Sequence, residues 1–386
     1  MRKKYIMTAA LFMVLVSLGL KVASQRPLWN DEYYSLVANI HNISYVHILE
    51  GYIGEGNNSP LFYVLQKLQC DLFSYHPPQR WLDGHWGGEH AFDQIFLRIQ
   101  PVVFMSAALC ALFYYFVLRN SWGWGIYAMA VAMTSSLFWS HWTEARPYAL
   151  WFSLSQFQIL LLLDLLEKNN GQINKNWVYL TVVHWLLALT TFFSVVQILA
   201  AGTVLWIFQR RGTWWLVPMV LVPLGTCGFY YVHAPHYNFY FVNGPLALIN
   251  ANIPKDRLFM IFMIAIIFII QRRGQDWKSH LEIKYLAFLL LMLGAFGLML
   301  LKLKYGQTQG PGSFQISSRY FLSLVPAGIM GVVLFSEYFL RAFPSRTWKL
   351  AAMAILICFF VFRLEKITQQ VPQNQLLSFH LTPHGL

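Results

Sequence analysis

The chain has 386 residues, of which 57% are hydrophobic, 17% aromatic and only 11% charged. A soluble domain carries about 25% charged residues, so this composition excludes an ordinary water-soluble globule and describes a membrane protein. The net charge of +12 does not mark a nucleic-acid binder, because Lys and Arg sit at the ends of apolar runs, where topology anchors belong.

Met1-Arg2-Lys3-Lys4 opens on an apolar run over residues 5–23. The run is longer than a signal-peptide core and lacks a small-x-small cleavage pattern before Arg26, so it reads as a retained first span with a cytoplasmic N-terminus. Arg26-Pro27-Leu28-Trp29-Asn30-Asp31-Glu32-Tyr33-Tyr34-Ser35 follows at once. Two adjacent carboxylates at a membrane exit have two readings. They cap a helix that starts at Tyr33, where the helix dipole favours acids. Alternatively, they form a catalytic pair, one acid taking a proton from an acceptor while the other tunes it or helps hold a metal ion.

The first outer loop spans residues 24–94. Leu36, Val37, Ile40, Ile43 and Val46 recur at helical spacing and predict an amphipathic helix on the membrane over residues 33–49. Pro60 suits the first turn of a second helix; residues 75–90 read as an irregular surface loop. Further spans are predicted over 98–118, 122–140, 148–166, 214–232, 258–270, 285–301, 320–340 and 350–362. The run over 177–208 is too long for one span and is split into two at 191–194. With the first, this gives about 11 spans, all helical because lipid offers the backbone no partners. The basic clusters at 2–4, 210–211, 272–273 and 341–349 then fall on one side.

The predicted fold class is an all-α polytopic membrane protein, a single domain over 1–386 with a short tail at 363–386 and no separate soluble domain. Cys70, Cys110, Cys227 and Cys358 form no C-x-x-C pair and suggest no disulfide framework.

This topology places Asp31, Glu32, Glu144, Arg146, His233, His236, Lys302, Lys304 and Arg319 on the outer side. Glu144-Ala145-Arg146-Pro147-Tyr148 reads either as an ion pair capping the fourth span or as a phosphate contact, since guanidinium forks match phosphate oxygens. Arg319 reads as an interfacial anchor or as a phosphate ligand helped by Lys302 and Lys304, with the glycines of 306–312 letting the loop close over substrate. His233 and His236 read as interfacial hydrogen-bonding groups rather than a metal pair, because no carboxylate is placed beside them.

These motifs carry a resemblance. Arg26 to Ser35, Ser59-Pro60-Leu61-Phe62-Tyr63, Glu144 to Tyr148 and Ser318-Arg319-Tyr320-Phe321 occur in the order seen in bacterial GT-C membrane glycosyltransferases. The chain resembles the dolichyl-phosphate-mannose–protein mannosyltransferase superfamily, in its aminoarabinose and galacturonic acid transferase branch. Ser59 stands where that family's first proline is usual. The resemblance implies a GT-C fold in a bacterial inner membrane, with active-site loops on the periplasmic side. It implies inverting transfer of a sugar from a polyprenyl-phosphate donor to a lipid, glycan or protein acceptor. Asp31 would be the base or a metal ligand (Mg, Mn or Zn), and Glu32 would support it. Arg319 and Tyr320, with Lys302 or Lys304, would bind donor phosphate; Arg146 and Glu144 would support the loop or the phosphate. Two rivals remain at this point: a transporter or flippase for lipid-linked sugars, and a non-catalytic assembly subunit.

Overall fold

The computed structural model describes residues 2–53, 59–119, 121–167, 175–209, 213–233, 238–241, 245–271, 280–301, 304–305, 313–315 and 318–342, with single residues or short pieces at 345, 347, 350–352, 354–356, 358 and 363. Helix α1 (Arg2–Gln25) leads into a polar layer of short helices: α2 (Asn30–Leu36), a π-turn (Val37–His41), α3 (Tyr45–Glu50), α4 (Leu61–Leu72) and α5 (Gln79–Leu82). The bundle continues with α6 (Ala91–Leu118), α7 (Trp122–Met133), α8 (Ser136–Trp142), α9 (Tyr148–Glu167), α10 (Lys175–Thr190) and α11 (Val195–Phe208). Then come α12 (Val222–His233), α13 (Pro245–Asn252), α14 (Lys255–Gln271), α15 (Leu281–Leu301) and α16 (Leu324–Ala342).

Five described helices are long and apolar enough to cross a membrane: Lys3–Gln25, Ala91–Leu118, Tyr148–Glu167, Leu281–Leu300 and Leu324–Arg341. Phe192–Phe208 and Val217–His233 are apolar but shorter. This is the signature of a helical membrane protein. The span expected over 350–362 is described only in pieces, at 350–352, 354–356 and 358. α9 and α16 are central, each 83% buried along its apolar window, whereas α1 is only 17% buried and presents apolar surface such as Met13 and Val14 outward. α1 runs along α6, which also packs against α7 and α9; α16 contacts α7, α9, α14 and α15. Gly19 makes the first of these contacts close, since a Cβ there would come within 2.6 Å of Val102.

Three differences from the sequence expectation matter. The run over 122–140 is not one helix: it breaks between α7 and α8, where buried Arg257 donates to the Thr134 carbonyl at 3.0 Å. The helix expected over 33–49 divides into α2, the π-turn and α3, and it begins at Asn30, so Asp31 and Glu32 lie inside its first turn rather than before it. The chain is helical in class, yet the described residues also include three short parallel strands, β1 (Asn238–Phe241), β2 (Lys304–Tyr305) and β3 (Ser313–Gln315), ordered β2-β1-β3. The expected fold-back at 191–194 is present as the 3-10 turn Phe192–Ser194 between α10 and α11.

The polar layer is tied to the bundle through a proline. Pro101 lies inside α6 and has no N–H to give the carbonyl four residues earlier, that of Leu97. Gln66 of α4 supplies the missing donor at 3.2 Å. Gln69 donates to the neighbouring Phe96 carbonyl at 2.5 Å, and Gln100 of α6 reaches back to the Leu65 carbonyl at 2.9 Å. Replacing Gln66 with Leu is expected to cost about 1–3 kcal/mol by orphaning the Leu97 carbonyl. Adding Pro101→Ala, which restores an N–H, should recover most of that loss in thermal unfolding of the purified protein.

Candidate functional site

The site forms at one end of the bundle, where α1 ends, α2 and α6 begin, α8 hands over to α9, and the 3-10 turn Ser318–Phe321 leads into α16. Its anchor is Glu32, 2% exposed, paired with Arg98, 0% exposed. Arg98 Nε donates to Glu32 Oε1 at 2.9 Å and Nη2 to Oε2 at 2.5 Å, a bidentate fork. The same carboxylate accepts the Ala145 N–H at 2.7 Å and the Trp29 N–H at 3.1 Å. Arg98 spends its remaining donors on the carbonyls of Ala23 (3.2 Å), Pro27 (2.8 Å) and Arg26. Arg26 in turn reaches the Ser140 carbonyl at 2.8 Å and Thr143 Oγ1 at 3.2 Å.

A second carboxylate holds the same segment from the other side. Glu89 accepts the Leu28 N–H at 2.9 Å, the Tyr33 hydroxyl at 2.5 Å and the Gln94 amide at 3.3 Å. Burial pushes its carboxyl up, but these donors win and hold it below the usual carboxylate range. Burial and the Glu89 carboxylate push the Tyr33 hydroxyl well above its usual range. The Tyr33 ring stacks on Trp86 at 5.9 Å and meets Trp81 edge-on at 5.0 Å.

Asp31 is thereby left turned aside, one-third exposed, with two guanidiniums on one of its oxygens. Arg319 Nη1 lies 3.0 Å from Oδ2 and Arg146 Nη1 3.6 Å from it. Arg146 is fixed by further bonds to the Asp31 main-chain carbonyl at 3.1 Å and to Ser35 Oγ at 3.2 Å. Arg319 sits among the rings of Trp29, Tyr148 and Tyr320 at 5.7, 5.6 and 5.5 Å, and its Nε is buried with no hydrogen-bond partner among the described residues. Tyr320 is buried and meets Phe193 of the α10–α11 turn at 5.1 Å and Tyr148 at 6.5 Å.

Glu144 and Arg146 do not pair with each other as the sequence suggested. Glu144, 3% exposed, takes His141 Nδ1 on Oε2, while its Oε1 and His141 Nε2 are buried without a partner among the described residues. Burial pushes the Glu144 carboxyl up, but His141, Arg146 and Arg319 together pull it down to about 2.

Of the residues singled out in the sequence, the structure thus brings Asp31, Glu32, Glu144, Arg146, Arg319 and Tyr320 together. Lys302 and the 306–312 glycine loop lie outside the described residues, as does the Lys304 side chain. His233 ends α12 with Nδ1 on the Phe229 carbonyl at 2.8 Å, while His236 lies outside the described residues.

Arg98, Glu89 and His141 are site residues that the sequence expectation does not include. Arg98 carries a usable signal, an ionisable group at the edge of an apolar run, which at membrane depth needs a partner. The surroundings of Asp31 do not fit a divalent cation. Two guanidiniums oppose it, Glu32 is saturated by donors, and no three His, Cys, Asp or Glu side chains converge among the described residues.

Compared with known proteins, the chain matches no family model, no curated protein and no solved structure.

Two outcomes follow from these contacts. Arg98→Met should cost about 3–5 kcal/mol, because it strands a buried carboxylate, whereas Asp31→Asn should change thermal stability by less than about 1 kcal/mol, as for a part-exposed pair; parallel melting curves compare them. The Glu144 carboxyl is depressed from 4.5 to about 2, so the stability it lends is complete above pH 4.5 and is lost as the pH falls toward 2. Glu144→Gln should flatten that part of the acid-unfolding profile.

Proposed function

We propose that this protein is an integral membrane glycosyltransferase that uses a polyprenyl-phosphate-sugar donor, with its chemistry at the end of the bundle that carries Asp31. The observation that carries the reading is the meeting of Asp31 with Arg146 and Arg319. A part-exposed carboxylate and two guanidiniums from three separate chain segments share one spot beside the membrane-spanning helices. The motif order that resembles GT-C enzymes, in the aminoarabinose and galacturonic acid transferase branch, adds to it. That resemblance also suggests a fold of about 11 spans in a bacterial inner membrane, with this end periplasmic.

In this reading the donor phosphate takes the guanidiniums of Arg319 and Arg146, which suit phosphate oxygens. Their hydrogen bonds to Asp31 weaken as the donor arrives, which frees a carboxylate oxygen to accept a hydrogen bond. Asp31 then accepts the proton of an acceptor hydroxyl. The acceptor oxygen bonds to the anomeric carbon from the face opposite the phosphate, and the bond from that carbon to the phosphate oxygen breaks. Polyprenyl phosphate leaves with the electron pair, its charge met by the two arginines, and the anomeric configuration inverts. Glu32 acts as a positioning residue, since its buried carboxylate is filled by Arg98 and by the Ala145 and Trp29 N–H groups. No step is assigned to a metal. The aromatic wall of Trp29, Tyr148 and Tyr320 holds Arg319 in place through cation–π contacts.

The test compares membrane lipids and surface glycans by mass spectrometry in cells with the gene, without it, and with Asp31→Asn. A sugar-bearing species should vanish without the gene, and Asp31→Asn should lower its formation about 10²–10⁴-fold at unchanged protein level. An Asp31→Asn strain with a full complement of glycans would remove Asp31 from the chemistry. An intact glycan profile without the gene, together with accumulation of a lipid-linked sugar on one leaflet, would favour the flippase reading.

A further inference from the structure

A second feature lies in the polar layer, apart from the Asp31 site. A cavity of about 260 Å³ opens between the π-turn, the exposed face of α4 and the turn that follows α4. Leu36 and Ile40 give it an apolar floor; Lys67 and Asp71 line one wall, and His41, Tyr75 and His76 complete it. That volume is a little below the usual range for drug-sized ligands. It is sized for one small ring.

The charge on the lining is balanced. Lys67 approaches Asp71 Oδ1 at 4.0 Å and donates to the Ile40 carbonyl at 3.1 Å, and its ammonium lies 5.3 Å from the Tyr45 ring. Asp71 also accepts the Tyr45 hydroxyl at 2.7 Å. Burial first, then His76 and Lys67, lower the proton affinity of His41, and the Lys67 ammonium is offset by the Asp71 carboxylate beside it. Such a lining does not select an anion. It offers donors from Lys67, both donor and acceptor positions from the two imidazoles and Ser74, and an acceptor in Asp71. Tyr75, stacked on Phe96 at 4.6 Å and hydrogen-bonded to Asp93 at 2.9 Å, is a rigid aromatic member of the wall. Interleaved donors and acceptors, an aromatic ring and a small apolar floor match a polyhydroxylated ring with one hydrophobic face.

We propose that this cavity binds a single uncharged sugar ring and acts as a positioning subsite for a carbohydrate-bearing acceptor. Its floor residue Ile40 lies nine residues beyond Asp31 on the same continuous helical segment, roughly 13 Å at the helical rise, a separation that successive units of one oligosaccharide bridge. The acceptor role rests on the transfer reading; the sugar site does not.

The experiment uses the full chain in lipid nanodiscs, free of glycoside detergents, with a panel of neutral methyl hexo- and pentopyranosides followed by saturation-transfer NMR. At least one pyranoside should receive saturation. Lys67→Met and His76→Ala should each weaken its binding about tenfold, the loss of one polar contact, and Asp31→Asn should leave it unchanged. His76 is exposed, so its removal tests the site without threatening the fold. Absence of transfer from every neutral pyranoside, transfer that survives both pocket substitutions, or displacement by inorganic phosphate would each overturn the proposal. Retained pyranoside binding in a protein found to transfer no sugar would sink the transfer reading and leave this site standing.

Discussion

The ion pair between Glu32 and Arg98 is the constraint on which this end of the molecule depends. Both side chains are essentially removed from solvent, and a buried charge persists only when paired and fully hydrogen-bonded. Satisfying the pair consumes backbone groups from the end of α1, the entry to α2 and the loop before α9. Those segments, distant in sequence, are thereby brought into a single register. Successive residues on a helix point about 100° apart, so once Glu32 is turned inward Asp31 is directed sideways, toward Arg146 and Arg319. The acid that stays partly in solvent is a by-product of the acid that does not.

The same economy shows in how the polar layer is attached. Pro101 opens a gap in the α6 ladder, and Gln66 closes it from α4. Just ahead of α6, Glu89 fixes Leu28 and Tyr33 from the loop that precedes the helix. The first turn of α2 is therefore held at several points before any ligand is considered. At the other end of the bundle the charged groups are used differently. Lys4 caps the Val117 carbonyl at 2.9 Å, Lys284 the Leu166 carbonyl at 2.8 Å, and Arg119 meets Asp164 and Glu167. There the cations satisfy helix C-termini and acids, as expected of anchors.

Much of this was legible in the sequence, and the failures have physical causes. Hydropathy located α1, α6, α9, α15 and α16, since a bilayer-length apolar run has few other uses. The fold-back at 191–194 was legible because polar Thr190 and Thr191 interrupt an overlong run. Alternation of spans puts Asp31, Arg146 and Arg319 at one end; their direct meeting is visible only in the structure. The break between α7 and α8 has local contacts, Thr134 Oγ1 on the Val131 carbonyl at 2.7 Å and Trp139 Nε1 on the Met133 carbonyl at 2.8 Å, but no proline or glycine to announce it. Its carbonyl at Thr134 is satisfied by Arg257, more than a hundred residues away, and tertiary contact overrides the local pattern. Spacing alone does not separate the roles of Asp31 and Glu32, which only the resemblance divides, because the partner that distinguishes them, Arg98, lies far along the chain at a span boundary.

If Asp31 and a donor phosphate compete for the same two guanidiniums, the competition is measurable as equilibrium binding of a short-chain polyprenyl phosphate to the protein in nanodiscs. Arg319→Gln should weaken binding by about tenfold or more, the loss of a charge-assisted contact, while Asp31→Asn should tighten it by removing the competing carboxylate. Equal affinity in the wild type and both variants would mean that no such competition exists.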